Sequence, residues 1–399
     1  MATKDKAKEE TLEMDNDFFQ ELIKDTDFVM ASNGSLMSSR PKVTTPLWVV
    51  NCIYGGGIPL GVIGEISGPP SSGKSTFSYQ CMGNYQKEYP DGVSVIYDME
   101  SSMDSDRLST LGVDTEHLLR LPATSLESAF ASMFKMFGKI DKLMEKGMTD
   151  ITSFQVFDTI SAGGTEKQHK SVEEGNSAFN AGSMMEAPRI LKQNLMNVFP
   201  YLEKFPVFIG LLNQVFTQMN GYTSSVKSGG GFGLRHAIHF HIEFGKNTDV
   251  FAKDNNQFLI ATQSMVKLGK SKLSPKMIDI PCYIDATMGG RIDEVVSFFQ
   301  YISSTSISLI KPGAWYSMKD TLDNMARKYP VLATKEVESL TKNMRKNEII
   351  EEMKSNPDLC LLLQVALIDY INGWYPMQEK INSEYKNELM LKCRYFNTP

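Results

Sequence analysis

The chain has few cysteines and no long apolar segment. Its 399 residues include five scattered cysteines without a C-x-x-C pair, which argues against a disulfide or zinc framework and favours reduced thiols. No apolar run is long enough to cross a bilayer, so we expect no membrane partner. The first ten residues lack the apolar core of a signal peptide, which predicts an intracellular, cytoplasmic protein.

An excess of positive charge is also missing. The formal net charge is −6, which does not by itself suggest a nucleic-acid partner, although net charge says little about local patches. Lys267, Lys270, Lys272 and Lys276 concentrate positive charge on what the pattern predicts to be a glycine-containing loop. Composition leaves two interpretations open here, a binding loop and an ordinary solvated loop.

Short apolar segments alternate with amphipathic helices from about residue 41. This alternation predicts an α/β fold with a mainly parallel sheet. The clearest predicted strands are residues 93–98, 153–158 and 207–213. They end in Asp98, Asp158 and Asn213, at the carboxyl edge where open α/β sheets bind ligands.

Three regions differ in composition. Residues 1–40 are polar and charged and are expected to form an arm and linker, residues 41–302 an α/β core, and residues 303–399 a small α-rich domain. Two long polar loops, residues 161–183 and 215–233, are predicted inside the core. Loops of this length in a compact domain are usually functional or mobile.

Residues 68–75 match G-x-x-x-x-G-K-[ST], between a predicted strand and a predicted helix. Backbone N–H groups and the positive end of the helix would then surround phosphates. Lys74 would reach the β- and γ-phosphates, and the Ser75 hydroxyl would help to bind Mg²⁺. The predicted nucleotide-binding residues are Gly68, Pro69, Ser71, Ser72, Gly73, Lys74, Ser75 and Thr76.

Two carboxylates complete a hydrolytic site in this interpretation. Asp158 closes an apolar run, the form expected of the acid that holds Mg²⁺ beside a phosphate loop. Glu100 follows the strand at 93–98 at the same edge, where a carboxylate could orient and deprotonate water.

Further motifs occur in an order that resembles the RecA recombinase family. They are residues 55–61, 65–75, 98–100, 111–114, 213–214, 229–231 and 313–317. The resemblance covers about residues 45–320, and the overall organisation is closer to the phage UvsX-type branch. It implies a RecA-like ATPase core that takes ATP and Mg²⁺.

The resemblance also assigns roles. Glu100 would be the catalytic base and Gln214 the sensor of the γ-phosphate. Lys270 and Lys272 would reach across a protomer interface to the neighbour's ATP.

Asp104 and Arg107 match positions that contact adenine. Arg107 stands where the bacterial proteins usually have an aromatic residue, and a guanidinium can also stack on a base.

The two long loops correspond to the DNA-binding loops of the family. Aromatic and basic residues interleaved with glycine suit a strand held by its backbone and stacked bases, while an ordinary mobile lid is the alternative. The predicted DNA-binding residues are Lys167, Lys170, Arg189, Phe216, Lys227, Gly230, Gly231 and Phe232.

The function implied is an ATP-dependent homologous recombinase that forms a helical filament on single-stranded DNA and exchanges strands with double-stranded DNA. Expected partners are other copies of the chain, a single-strand-binding protein and a loader, in the cytoplasm of a bacterial host if the chain is phage-encoded. Residues 28–31 (Phe-Val-Met-Ala) resemble a polymerisation motif. A ring helicase and a non-hydrolysing recombination mediator are the alternatives.

Overall fold

The computed structural model describes residue 24 and residues 40–174, 186–220, 223–228, 231–252, 258–272 and 277–397. For residues 216–220, 223–228, 232, 277 and 278 only the backbone is described. The chain divides into two compact units, residues 1–40 and 41–399, and the elements below belong to the second. The motif at 28–31, Gly230 and Lys276 lie outside the described residues.

Strands and helices are numbered in chain order. The strands are β1 Lys42–Val43, β2 Ile58–Pro59, β3 Val62–Gly68, β4 Val93–Asp98, β5 Leu118–Pro122, β6 Ser153–Asp158, β7 Val207–Asn220, β8 Thr223–Ser228, β9 Phe240–Phe244, β10 Thr248–Phe251, β11 Leu259–Ser271, β12 Met277–Asp285 and β13 Arg291–Ile292. The α-helices are α1 Trp48–Tyr54, α2 Lys74–Glu88, α3 Ser105–Thr110, α4 Leu126–Met144, α5 Glu166–Glu173, α6 Glu186–Lys204, α7 Gly231–Ala237, α8 Glu294–Ile302, α9 Lys319–Lys328, α10 Lys335–Ser339, α11 Lys346–Ser355, α12 Pro357–Trp374 and α13 Gln378–Lys392. Short 3-10 helices span Pro330–Leu332 and Arg394–Phe396.

One large sheet organises the second unit, in the order β13-β12-β11-β9-β3-β7-β6-β4-β5. Neighbouring strands from β9 to β5 pair in parallel, whereas β11, β12 and β13 pair antiparallel. Every residue of β3 and β6 is buried, as is typical of parallel strands covered by helices on both faces. The predicted α/β fold with a mainly parallel central sheet is confirmed.

Helices α4 and α6 cover one face of the parallel strands. Their apolar residues, among them Phe130, Phe137 and Leu195, pack with Phe157 of β6 in one buried cluster. The Ser125 side chain accepts a hydrogen bond from the backbone N–H of Ser128, which fixes where α4 begins. This packing holds the carboxyl end of β6, and with it Asp158, in place.

Residues after 302 are mainly helical in the described part of the chain and pack on the core. Cys52 of α1 lies beneath α12, with its Sγ 3.8 Å from the carbonyl oxygen of Gln364. Gln378 of α13 donates to the carbonyl of Ile53 at 3.0 Å. Residues 41–399 therefore form one compact unit.

The first predicted long loop, residues 161–183, contains the helix α5. A reciprocal capping pair starts it, in which the Thr165 side chain accepts from the Gln168 N–H and the Gln168 side chain accepts from the Thr165 N–H. Lys167 and Lys170 therefore lie on a helix and not on a loop.

The second predicted loop, residues 215–233, is wrong as a loop. Strand β7 continues to Asn220 and pairs antiparallel with β8, with Phe216 opposite Lys227. Gly231 and Phe232 begin α7. The polar, glycine-containing composition suggested irregular backbone, but pairing between the two halves satisfies the backbone as a hairpin.

The loop predicted for the basic cluster is wrong for Lys267 and Lys270. Lys267 and Lys270 lie on β11, and Lys272 follows its last residue. The buried residues of this strand include Ala261, Ser264, Val266 and Leu268. Burial at every second position from 264 to 268 is typical of a strand with one face on the core.

None of the helices within the described residues combines the length and the apolar character required for a membrane span.

Candidate active site

The phosphate loop joins β3 to α2 through backbone that only certain residues adopt. Gly73 has φ of 100° and Ser71 has φ of 58°, both in the left-handed region. A Cβ on Gly68 would lie 2.6 Å from Ser72 Oγ and 2.8 Å from Phe244 Cβ. Glycine is therefore required at 68 by close packing and is favoured at 73 by backbone conformation.

Lys74 is the first residue of α2 and is only 6% exposed. Its Nζ donates to the carbonyl of Pro69 at 2.8 Å, which curls the loop around the ammonium group. Burial lowers the pKa of Lys74, and the nearby carboxylates of Asp158 and Glu100 act in the opposite direction. A phosphate group here would give the buried cation a charged partner.

Asp158 ends β6 directly opposite Asp98 of β4. Its Oδ2 accepts a hydrogen bond from the Tyr79 hydroxyl, while its Oδ1 is buried without a hydrogen-bond partner among the described residues. Burial raises the pKa of Asp158 to about 6, Glu100 acts in the same direction, and Tyr79, Ser75 and Lys74 oppose it.

The donor set at Asp158 fits Mg²⁺. A buried carboxylate oxygen without a partner and the neighbouring Ser75 hydroxyl are oxygen donors of the kind that Mg²⁺ prefers. Within the described residues there is no group of three or more His, Cys, Asp or Glu side chains that could hold a metal.

Glu100 and Gln214, which the resemblance named as base and sensor, touch each other. Glu100 Oε1 accepts from Gln214 Nε2 at 3.3 Å and from Thr159 Oγ1 at 2.7 Å. Ser161 Oγ lies 3.0 Å from Thr159 Oγ1 and accepts from the Gln214 N–H at 3.4 Å. The carboxylate is therefore held by a small polar network at the edge of the sheet.

Two cavities adjoin the loop and share Ser75, Thr76 and Arg107 in their walls. One has a volume of about 290 Å³ and is lined by the phosphate loop with Thr262 and Ile284. The other, about 190 Å³, extends between Tyr79, Glu100, Asp104 and Asp158. Together they form a groove on both sides of the start of α2.

Arg107, which the resemblance predicts to contact the base, lines both cavities. The Asp104 side chain caps α3 by accepting from the Arg107 N–H at 2.7 Å. The Arg107 guanidinium donates to the carbonyls of Gly289 and Gly290 and to Thr76 Oγ1, the last two at 3.1 and 3.2 Å. These bonds fix the plane of the guanidinium, which suits it to stack against a flat ring.

Lys270 and Lys272 are far from the phosphate loop of their own chain. Ser264 of β11 donates to the carbonyl of Ser72 at 3.2 Å, but Lys270 lies six residues further along the strand, or roughly 20 Å. Its Nζ instead donates to the carbonyl of Arg235, in the last turn of α7, at 2.5 Å. Burial and the charge of Lys272 lower the pKa of Lys270.

The three predicted DNA contacts around the first loop are exposed. Lys167 and Lys170 lie on α5, and Arg189 lies in the first turn of α6. Thr165, which caps α5, also donates to Glu186 of α6 at 3.3 Å. The structure therefore brings the starts of these two helices together.

The segment that forms this site matches the model of a known protein family. Residues 41–288 match the family model described as the RecA N-terminal domain. The chain belongs to the RecA family. The matched segment contains the phosphate loop, Asp158, Gln214 and both lysines, and the central sheet is that of a RecA-like core.

Bacterial RecA proteins are among its relatives. The chain is 27% identical over 265 residues to Protein RecA of Ureaplasma parvum serovar 3, covering 66% of this chain and 72% of the relative. It is 27% identical over 305 residues to Protein RecA of Helicobacter acinonychis, covering 75% and 79%. For Protein RecA of a Nostoc species the identity is 26% over 276 residues, covering 69% and 71%.

A buried polar network beside the RecA-like site was missed by the sequence reasoning. Glu65 of β3 is 1% exposed and accepts from Asn213 Nδ2 at 2.8 Å. Its other oxygen lies 3.9 Å from His241 Nε2, which also shares a 2.7 Å hydrogen bond with Ser67. Ser67 precedes the phosphate loop and Asn213 precedes Gln214. The sequence offered one indication of this network, because Glu65 is an acidic residue inside the otherwise largely apolar segment of β3.

Proposed function

We propose that the chain is an ATP-dependent recombinase, which binds ATP with Mg²⁺, polymerises on single-stranded DNA and catalyses homologous pairing and strand exchange. The observation that carries this proposal is the contact between Glu100 and Gln214 beside the phosphate loop. It joins a candidate base for hydrolysis to a side chain on β7, the strand that continues into the candidate DNA-binding hairpin. Membership of the RecA family supports the same function.

The chemistry assigned to the site is hydrolysis of ATP to ADP and phosphate. Lys74 binds the β- and γ-phosphates, and Ser75 and Asp158 hold Mg²⁺. When bound, Mg²⁺ neutralises charge that develops on the phosphate oxygens. Glu100 accepts the proton of the attacking water, while Thr159 keeps its carboxylate oriented.

The nucleotide acts as a switch for DNA in this proposal. Gln214 contacts the γ-phosphate, and its position on β7 links that contact to Phe216 and Lys227 in the hairpin. Arg107 and Asp104 contact the base. Lys167, Lys170, Arg189 and Gly231, at the start of α7, hold the DNA backbone.

Assembly into a filament would complete the site. Because Lys270 and Lys272 lie at the end of β11 away from their own phosphate loop, they suit the ATP of a neighbouring protomer. Residues 28–31, which resemble a polymerisation motif, would provide a further contact between protomers.

The order of the motifs and the organisation of the chain resemble the RecA family, and this resemblance supports three more specific points. The chain would belong to the phage UvsX-type branch and act in the cytoplasm of a bacterial host. A single-strand-binding protein and a loader would be its partners. Pull-down from infected cells, followed by identification of both proteins, tests the last point.

An ATPase assay with and without single-stranded DNA tests the function. A recombinase hydrolyses ATP faster with DNA, whereas a non-hydrolysing mediator gives no turnover in either case. Electron microscopy with DNA and ATP then separates helical filaments from the closed rings of a helicase. Strand exchange between a circular single strand and a homologous duplex must also depend on ATP, and its absence from a filament-forming protein would contradict the proposal.

A further inference from the structure

Tyr79 is a buried tyrosine of α2 whose hydroxyl reaches the acid at the end of β6. It follows Ser75 by one helical turn, so both side chains lie on the same side of α2. The residue is 7% exposed, and its hydroxyl donates to Asp158 Oδ2. The phosphate-loop motif stops at Ser75, so no motif predicts this contact.

The contact separates the two oxygens of Asp158. Oδ2 is taken by the phenol, while Oδ1 is buried without a hydrogen-bond partner among the described residues. Tyr79, Asp158 and Ser75 all line the cavity of about 190 Å³. Because a strong donor holds one oxygen, the carboxylate cannot rotate freely, and the other oxygen keeps one orientation.

We infer that Tyr79 is a positioning residue, which holds Asp158 in the orientation that engages Mg²⁺ bound together with the nucleotide. This inference rests on the proposed function, because it assumes a nucleotide and Mg²⁺ at the phosphate loop. Tyr79 acts through Asp158 and not on the phosphates. Partners that orient the groups around a metal typically contribute 10–100-fold to metal affinity.

The test is the effect of Tyr79→Phe on the coupling between Mg²⁺ and nucleotide. The probe is a fluorescent, non-hydrolysable ATP analogue, whose dissociation constant is measured in EDTA and in saturating Mg²⁺. The dissociation constant in EDTA divided by the dissociation constant in Mg²⁺ is the Mg²⁺ enhancement. We expect Tyr79→Phe to lower this ratio about tenfold and to leave the affinity in EDTA within about twofold of wild type.

Tyr85→Phe is the matched control. Tyr85 lies on the same helix, is fully buried, and shares a 2.8 Å hydrogen bond with Thr152 at the other end of the sheet. It should leave the Mg²⁺ enhancement unchanged. In an Asp158→Asn background, Tyr79→Phe should cause no further loss, because the partner through which it acts is gone.

An unchanged or increased Mg²⁺ enhancement in Tyr79→Phe would overturn the inference. So would an equal loss of affinity in EDTA, since Tyr79 would then shape the nucleotide pocket itself. A wild-type protein that binds the analogue without any effect of Mg²⁺ would remove the proposed function as well. Tyr79→Met provides a second variant of similar size without a hydroxyl, should Tyr79→Phe fail to fold.

Discussion

Lys74 offers the simplest test at the scale of single residues. We expect Lys74→Ala to weaken ATP binding about 10–100-fold, because a charge-assisted hydrogen bond contributes about 1.5–3 kcal/mol. Strand exchange should be lost, while the melting temperature stays close to that of wild type. Equilibrium binding of a fluorescent ATP analogue measures the effect.

Lys87→Ala is the control for Lys74. It removes an exposed lysine from the last turn of the same helix and should bind nucleotide normally. Wild-type affinity in Lys74→Ala would contradict the assignment of the phosphate loop.

Glu100 is the second residue whose role can be isolated. Glu100→Gln keeps the shape of the side chain but cannot accept a proton, so hydrolysis should slow by about 10²–10⁴-fold. ATP binding should stay intact, and filaments on single-stranded DNA should persist. Steady-state ATPase rates and electron microscopy after ATP addition give the two measurements.

Glu116→Gln, a change at an exposed glutamate of the same unit, should leave the rate unchanged. If Glu100→Gln hydrolyses ATP at the wild-type rate, another group is the base.

At the scale of elements, β11 is expected to connect protomers. Replacing Lys270 and Lys272 with alanine should spare ATP binding by the single chain, because Lys270 lies roughly 20 Å along β11 from Ser264, which contacts the chain's own phosphate loop. DNA-stimulated hydrolysis should collapse, since the transition-state charge loses its partner from the neighbour. Lys267→Ala, an exposed lysine on the same strand, is the control.

Mixing variants separates the two possible positions of these lysines. The double variant combined with Glu100→Gln should recover part of the activity, at interfaces where an intact Glu100 faces intact lysines. Mixed filaments that recover no activity would show that the lysines act within their own chain or bind DNA instead.

At the scale of the whole molecule, the reactivity of the cysteine thiols measures how well the core is packed. All five are free and buried, and burial raises the pKa of each thiol. We expect less than one thiol per chain to react rapidly with a disulfide reagent in the native protein, and five in guanidinium. Rapid reaction of several thiols in the native protein would contradict this packing.

Cys52 distinguishes release of the C-terminal helices from global unfolding, since α12 covers it. If these helices detach first at low guanidinium concentration, Cys52→Ser should show one early-reacting thiol fewer than the wild-type protein.

The phosphate loop, the main strands and the family could be predicted from the sequence, because each depends on neighbouring residues. The glycine at 73 and the lysine at 74 belong to a motif of eight consecutive residues, and the apolar character of residues 153–158 by itself predicts a buried strand. The polar segment after residue 213 did not show its hairpin, because its stability comes from pairing with a second segment.

Only the tertiary structure decided which distant side chains meet. Glu100 and Gln214 are separated by 114 residues, Tyr79 and Asp158 by 79, and Arg107 and Gly290 by 183. Sequence periodicity assigns a residue to an element but not to a partner on another element. The order of strands in the sheet brings these pairs together, and it places Lys270 away from its own phosphate loop.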